Sequence, residues 1–205
     1  MQIGVFAKIF QGTDPAQVLA ACKVAGYESV QYNMSCSGLD ALPASVGNNT
    51  AHRVAEASQS TGIAINAISA TYNMIDPDKT RREQGRRAFT AIAEKAEAMG
   101  SSLVTVCTGS RDPHDKWRHH QSNADSQSWT DMCREFELVL EQAERHDIII
   151  GVEPEHANVV STARKAQDLL QSFGNERLRI VFDPANLIEN RTPDTHPFIL
   201  NEAID

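Results

Sequence analysis

Short apolar segments alternate with stretches of helical periodicity along the whole chain. The segments are IGVF from residue 3, ESVQY from 28, IAINAIS from 63, SLVTVC from 102, DIIIGVE from 147 and LRIVFD from 178. Their length and their content of β-branched residues predict six strands. Between the first two, Asp14-Pro15 offers a capping carboxylate followed by a proline at the first helical position, and Gly26 follows the end of that helix. Asp76-Pro77 and Gly100 frame the third helix in the same way. The other helices are predicted over 48–61, 128–145 and 161–173, with Gly62 and Gly174 just past two of those ends.

Strands that alternate with helices imply a parallel sheet covered by helices, and a near-continuous apolar run such as IIIGV fits burial on both faces. Two architectures share that pattern. A doubly wound dinucleotide-binding sheet calls for G-x-G-x-x-G after its first strand, and IGVFAKIFQGTDP has no such spacing. In a (β/α)8 TIM barrel, polar residues gather at the C-terminal ends of the strands, where active sites form. They gather there in this chain: Asn33 and Ser35, Tyr72 and Asn73, the run from Thr108 to Asp112, Glu153 to His156, and Asp183 to Asn186. The expected fold is therefore α/β, of the TIM-barrel class. Six βα units are visible where a closed barrel has eight, and THPFILNEAID reads as a helix standing just before a seventh strand would begin. The expectation is a single incomplete TIM-barrel domain over 1–205, truncated after about six βα units.

Composition narrows the function. At 205 residues and 41% hydrophobic content, the chain can bury one sizeable core. An excess of 27 acidic over 19 basic residues, a net charge of -8, repels a phosphate backbone, so nucleic acid is not an expected partner. No apolar run approaches the roughly 20 residues that span a bilayer. The start, MQIGVFAKIF, lacks the features of a signal peptide, and a cytoplasmic chain with no membrane partner is expected. Cys22, Cys36, Cys107 and Cys133 form no C-x-x-C pair and read as reduced thiols.

Chemistry concentrates in IIIGVEPEHANVV, residues 148–160, where an apolar strand delivers Glu153, Glu155 and His156 at its own end. A lone buried carboxylate is costly unless its charge is offset. Glu153 ends the fifth strand and Asp183 the sixth. If those strands are neighbours, about 4.8 Å apart, two carboxylates converge and call for a shared proton or an oxygen-bound divalent cation. The blander alternative is that each carboxylate caps the following helix or pairs with an arginine.

TYNMIDPD (71–78), CTGSRDP (107–113), the spacing W-x-x-H-x-x-N at Trp117, His120 and Asn123, VEPEHANV (152–159) and VFDPANL (181–187) carry a resemblance. Together they resemble the sugar phosphate isomerase/epimerase family. That is the xylose isomerase-like TIM-barrel group, which includes ketose 3-epimerases and inosose dehydratases and is related in fold to endonuclease IV. The resemblance implies a divalent metal ion (Mn, Mg, Co or Zn) held by a Glu after strand five, an Asp after strand six, a His after strand seven and a Glu after strand eight. Glu153 and Asp183 match the first two, and the other two would lie beyond residue 205. It further implies that Glu153 is one of the catalytic acid/base pair and that Asn186 contacts substrate.

The expected function is a metal-dependent sugar, sugar phosphate or sugar acid isomerase or epimerase, acting by proton abstraction next to a carbonyl through an enediolate. Its partner would be a small-molecule sugar. Further substrate-binding candidates are His120, Glu155, His156, Arg111 and Trp117. The run KTRREQGRR (79–87) reads as a solvated helix face. Two other functions compete: a non-catalytic barrel that pairs with a partner chain, such as a homodimer through its open barrel edges, and an endonuclease IV-like DNA repair enzyme, which the net charge disfavours.

Overall fold

The structure, a computed structural model, describes residues 2–188 and 191–204. Six strands form one sheet in sequential order: β1 (Gly4–Phe6), β2 (Ser29–Tyr32), β3 (Ala64–Ser69), β4 (Leu103–Val106), β5 (Ile149–Val152) and β6 (Leu178–Ile180). Every pairing is parallel, with Val106 opposite Val152 and Val152 opposite Ile180. Helices α1 (Pro15–Val24), α2 (Asn48–Thr61), α3 (Lys79–Ala93), α4 (Ser126–Arg145) and α5 (Ala163–Phe173) cross between successive strands, and α6 (Pro184–Ile188) and α7 (His196–Ile204) follow β6. This is the repeating βα arrangement of a TIM barrel. Among the described residues no pairing joins β1 to β6, which are the two edges of the sheet.

The sheet is curved enough to have an inside. Gln31 of β2 reaches over β3 to Thr105 of β4, its Nε2 donating to Oγ1 at 2.7 Å. In a flat sheet two strands so related stand ~9.6 Å apart, and the side chains meet because the strands curl toward each other. On the other face the helices supply the core: Val18 and Leu19 of α1, Phe89 and Ile92 of α3, Phe136 and Val139 of α4 and Leu169 of α5 are all inaccessible to solvent. Burial of that apolar surface against the strands is the main force holding the layers together.

Local signals in the sequence explain most helix ends. Asp14 accepts from the backbone N–H of Ala16 and Gln17 at the start of α1, and Thr162 caps α5 through Lys165 N–H. The third helix differs from expectation. Asp76, read as its cap, is buried and accepts instead from Asp78 N–H and the Arg81 guanidinium. Asp78 caps α3 by accepting from Thr80 N–H, so the helix begins at Lys79. It also ends earlier, at Ala93, and a short 3-10 turn (Glu97–Met99) leads to Gly100. The basic run 79–87 forms the first turns of α3, and its arginines are tied into the fold: Arg81 to Asp76, Arg86 to Glu135 and Arg87 to Glu83. Gly85 lets α3 lie against the Tyr72 ring, since a Cβ there would stand 2.4 Å from Cδ2. The Tyr72 hydroxyl in turn donates to Glu135 at 2.9 Å.

No described helix is long and apolar enough to cross a membrane.

Candidate active site

Because all six strands are parallel, their C-terminal ends share one face of the sheet, and the loops there are joined by asparagine side chains. Asn73, after β3, donates to Ser110 O and accepts from Ser110 N–H. Asn123, in the 3-10 turn (Gln121–Ala124) before α4, accepts from Arg111 N–H and donates to Ala157 O at 2.7 Å. Asn158, after β5, accepts from Gly109 N–H and donates to Lys116 O. Each amide carries an acceptor oxygen and two N–H donors, so one side chain ties its own loop to the backbone of a neighbouring loop. The motifs around 71–78, 107–113 and 152–159 are thereby one connected wall.

Glu153 sits one residue past β5, and its N–H donates to Val106 O of β4, which fixes its backbone to the ladder. Val181 N–H donates to Val152 O at 2.8 Å, carrying the β5–β6 pairing beyond Ile180 toward Asp183. The two carboxyl groups meet. Burial raises the Glu153 pKa above its ordinary 4.5, and the neighbouring charge of Asp183 raises it further. Asn186 opposes the shift: its Nδ2 donates to Glu153 Oε1 at 3.0 Å and favours the ionised form. Asp183 also caps α6 by accepting from Ala185 N–H, so capping and convergence on Glu153 coexist in one side chain.

Both carboxyls open onto a cleft of about 490 Å³, walled also by Phe6, Lys8, Lys116, Trp117, Glu155 and Asn186. Small-molecule sites are commonly clefts of ~300–1,000 Å³. A larger hollow of about 590 Å³ lies outside β6 against α5 and α7. It shares Asp183 but includes none of the other candidate residues, and we therefore place the candidate site in the cleft.

The sequence candidates divide. Glu153, Glu155, Asp183, Asn186 and Trp117 share the cleft. Arg111 stands outside it. Its guanidinium donates to Ser128 Oγ, Ile75 O and, at 2.6 Å, Asp131 Oδ2, bracing the β4 loop against α4. His120 is a turn cap whose Nδ1 accepts from Ser122 N–H, and His156 lies in the turn after β5 and is not part of the cleft lining. Two charged cleft residues went unnoticed in the sequence. Lys8 follows β1, and Lys116 adjoins Trp117, with its ammonium 5.0 Å from the ring centroid. The one available signal was the Lys-Trp adjacency inside a motif loop.

Two convergent carboxylates, one of them with its pKa raised by the other, are a donor set that a divalent cation relieves. The residues present fit such an ion as a partial ligand set. Among the described residues no third His, Cys, Asp or Glu joins them in a metal-ligating group.

A curved, sequentially ordered parallel sheet with carboxylates at its C-terminal rim defines an enzyme-like barrel fold. A family model described as a xylose isomerase-like TIM barrel matches residues 19–204, and the chain belongs to that family. Solved structures agree on the fold. D-psicose 3-epimerase from Clostridium cellulolyticum H10, solved with D-tagatose, is 13% identical with a TM-score of 0.74 over 99% of this chain and 70% of its own. The 3-keto-D-glucoside 4-epimerase YcjR from E. coli is 14% identical with a TM-score of 0.72, over 98% and 76% respectively. A xylose isomerase-like TIM barrel protein from Mycobacterium smegmatis, in complex with magnesium, is 12% identical with a TM-score of 0.72, over 99% and 71%. No curated protein matches the sequence.

Proposed function

We propose that this chain carries the strand-five and strand-six part of a metal-dependent isomerase or epimerase acting on a sugar or sugar derivative. The observation that carries this reading is the Glu153–Asp183 pair, held by Asn186 at the rim of the cleft. A divalent cation (Mn, Mg, Co or Zn) bound by the two carboxylates would supply positive charge to stabilise the oxyanion that forms when a carbon acid next to a carbonyl loses its proton.

The chain's own residues do the rest. Glu153 is the base: burial and the Asp183 charge raise its pKa above the ordinary 4.5, and the conjugate base of a weaker acid is the stronger proton acceptor. Asn186 holds Oε1 and thereby aims the other carboxylate oxygen. Trp117, 47% exposed on the cleft wall, offers an apolar face to a sugar ring. Epimerisation also needs a proton delivered from the opposite face of the carbon, and Glu153 supplies only one of the two groups. The epimerase and magnesium-bound relatives support the class of reaction and the class of metal.

Exchange of a substrate C–H for solvent deuterium needs only one base and is the direct test. With Mn²⁺ present, NMR should show exchange into at least one of D-tagatose, 5-keto-D-gluconate and D-fructose 6-phosphate by the parent chain. Glu153→Gln should slow it by a factor of roughly 100 or more, the contribution of a positioned general base. Exchange at the parent rate in Glu153→Gln, or none in the parent, would refute the reading.

A further inference from the structure

The cleft carries a second charged end. Lys8, in the 3-10 turn (Ala7–Ile9) after β1, and Lys116, in the loop between β4 and α4, both line it. Lys116 is held by two contacts: its ammonium donates to Thr71 O and lies over the Trp117 ring. An ammonium has three donors, and Thr71 takes one. Burial lowers the Lys116 pKa, and the nearby Lys8 charge contributes in the same direction. The two cations therefore act on the same space.

Their lack of a carboxylate partner separates them from the other basic residues around this face. Arg81, Arg86 and Arg111 each have a carboxylate within 3.0 Å. Among the described residues, the ion pairs of this face join arginines to Asp76, Asp112, Asp131 and Glu135, and neither Lys8 nor Lys116 takes part in one. Keeping a half-buried ammonium without a counter-ion is unfavourable, and an anion brought into the cleft would relieve it. The cleft's own carboxylates do not fill that role once a cation occupies Glu153 and Asp183, because their charge is then cancelled and only Glu155 remains.

We propose that Lys116 and Lys8 bind an anionic group on the substrate. The cleft then takes a sugar bearing a carboxylate or a phosphate, with that group at the lysines and its carbonyl toward Glu153 and Asp183. This assignment rests on the proposed function for the carbonyl end alone; the anion end stands on the lysines.

Calorimetric titration at low ionic strength, with Mg²⁺ and again with EDTA, tests it using D-fructose, 5-keto-D-gluconate and D-fructose 6-phosphate. The parent should bind at least one of the two anionic sugars about tenfold or more tighter than D-fructose, and which one identifies the anion. Lys116→Met and Lys8→Gln should each weaken that binding roughly tenfold to a hundredfold, the scale of one charge-assisted hydrogen bond, and weaken D-fructose far less. Lys23→Gln, at an exposed position on α1 away from the cleft, should change nothing. If Lys116→Met fails to fold, Lys8→Gln decides alone, since Lys8 is an exposed turn residue. Equal binding of all three sugars, no binding of either anion, or anion binding indifferent to both lysines would overturn the proposal. Lysine-dependent anion binding in a chain whose deuterium exchange ignores Glu153→Gln would sustain it and refute only the base assignment.

Discussion

The side-chain amide of Asn186 donates to Glu153 Oε1 across 3.0 Å, linking α6 to the end of β5. This bond favours the ionised carboxylate against burial and the Asp183 charge, which both favour the acid. Asn186→Ala should therefore push the Glu153 pKa still higher. Carbon-13 NMR titration of side-chain carboxyls in metal-free protein, with Glu153→Gln to assign the signal, reads the shift. A Glu153 titration unmoved by Asn186→Ala would show that the bond does not govern the charge.

The same raised pKa has a consequence for stability. Folding favours protonated Glu153, so this residue's contribution is fully present below its ordinary value of 4.5 and is lost as pH rises through the folded value. Relative to the acid, the ionised side chain opposes folding. Metal-free Glu153→Gln should accordingly melt at a higher temperature than the parent at pH 7, with the difference fading below 4.5. Added Mg²⁺ should raise the parent's melting temperature and act little on the variant. Thermal scans across pH check both statements.

Arg111 makes three side-chain hydrogen bonds, one of them to Asp131. Arg111→Met should lower stability by about 2 kcal/mol, the worth of a charge-assisted bond in a partly buried setting. For a chain of this size that is a fall of roughly 4–8 °C in melting temperature. Sugar affinity, measured by titration, should not change. A selective loss of anion affinity with unchanged melting would place Arg111 in the site after all.

Gly109 has φ +80°, and a Cβ built there would lie 2.0 Å from Asn73 Oδ1. Gly109→Ala combines left-handed backbone strain of ~1–2 kcal/mol with that collision, so we expect a loss of about 3 kcal/mol. Adding Asn73→Ala should recover the collision but not the strain. Non-additive denaturation energies for the pair are the measurement.

The six strands were legible because each apolar run is a local property, readable without knowing its neighbours. The convergence of Glu153 and Asp183 was legible for the same reason, once adjacent strands were assumed. What escaped depended on long-range choices. Asp76 and Asp78 are equally good caps on paper, and only the Arg81 guanidinium, which takes Asp76, decides between them. Arg111 in CTGSRDP looks available to a substrate until Asp131, twenty residues on, is folded against it. His120 bonds its own turn, two residues away. Lys116, inside DPHDKWRHH, carries no local signal of its own, and only the packing of Trp117 and Thr71 around its ammonium draws it into the cleft.

The asparagine joints between the loops matter for what the rim can tolerate. A side-chain amide neither gains nor loses a proton over any ordinary pH, and its dipole is not neutralised by salt as an ion pair's charge is. The seams made by Asn73, Asn123 and Asn158 thus keep their shape while the groups they surround change charge, bind cations or meet anions. Mechanical cohesion and chemical reactivity are assigned to different kinds of atoms on this face, so titrating the floor of the cleft leaves its frame in place.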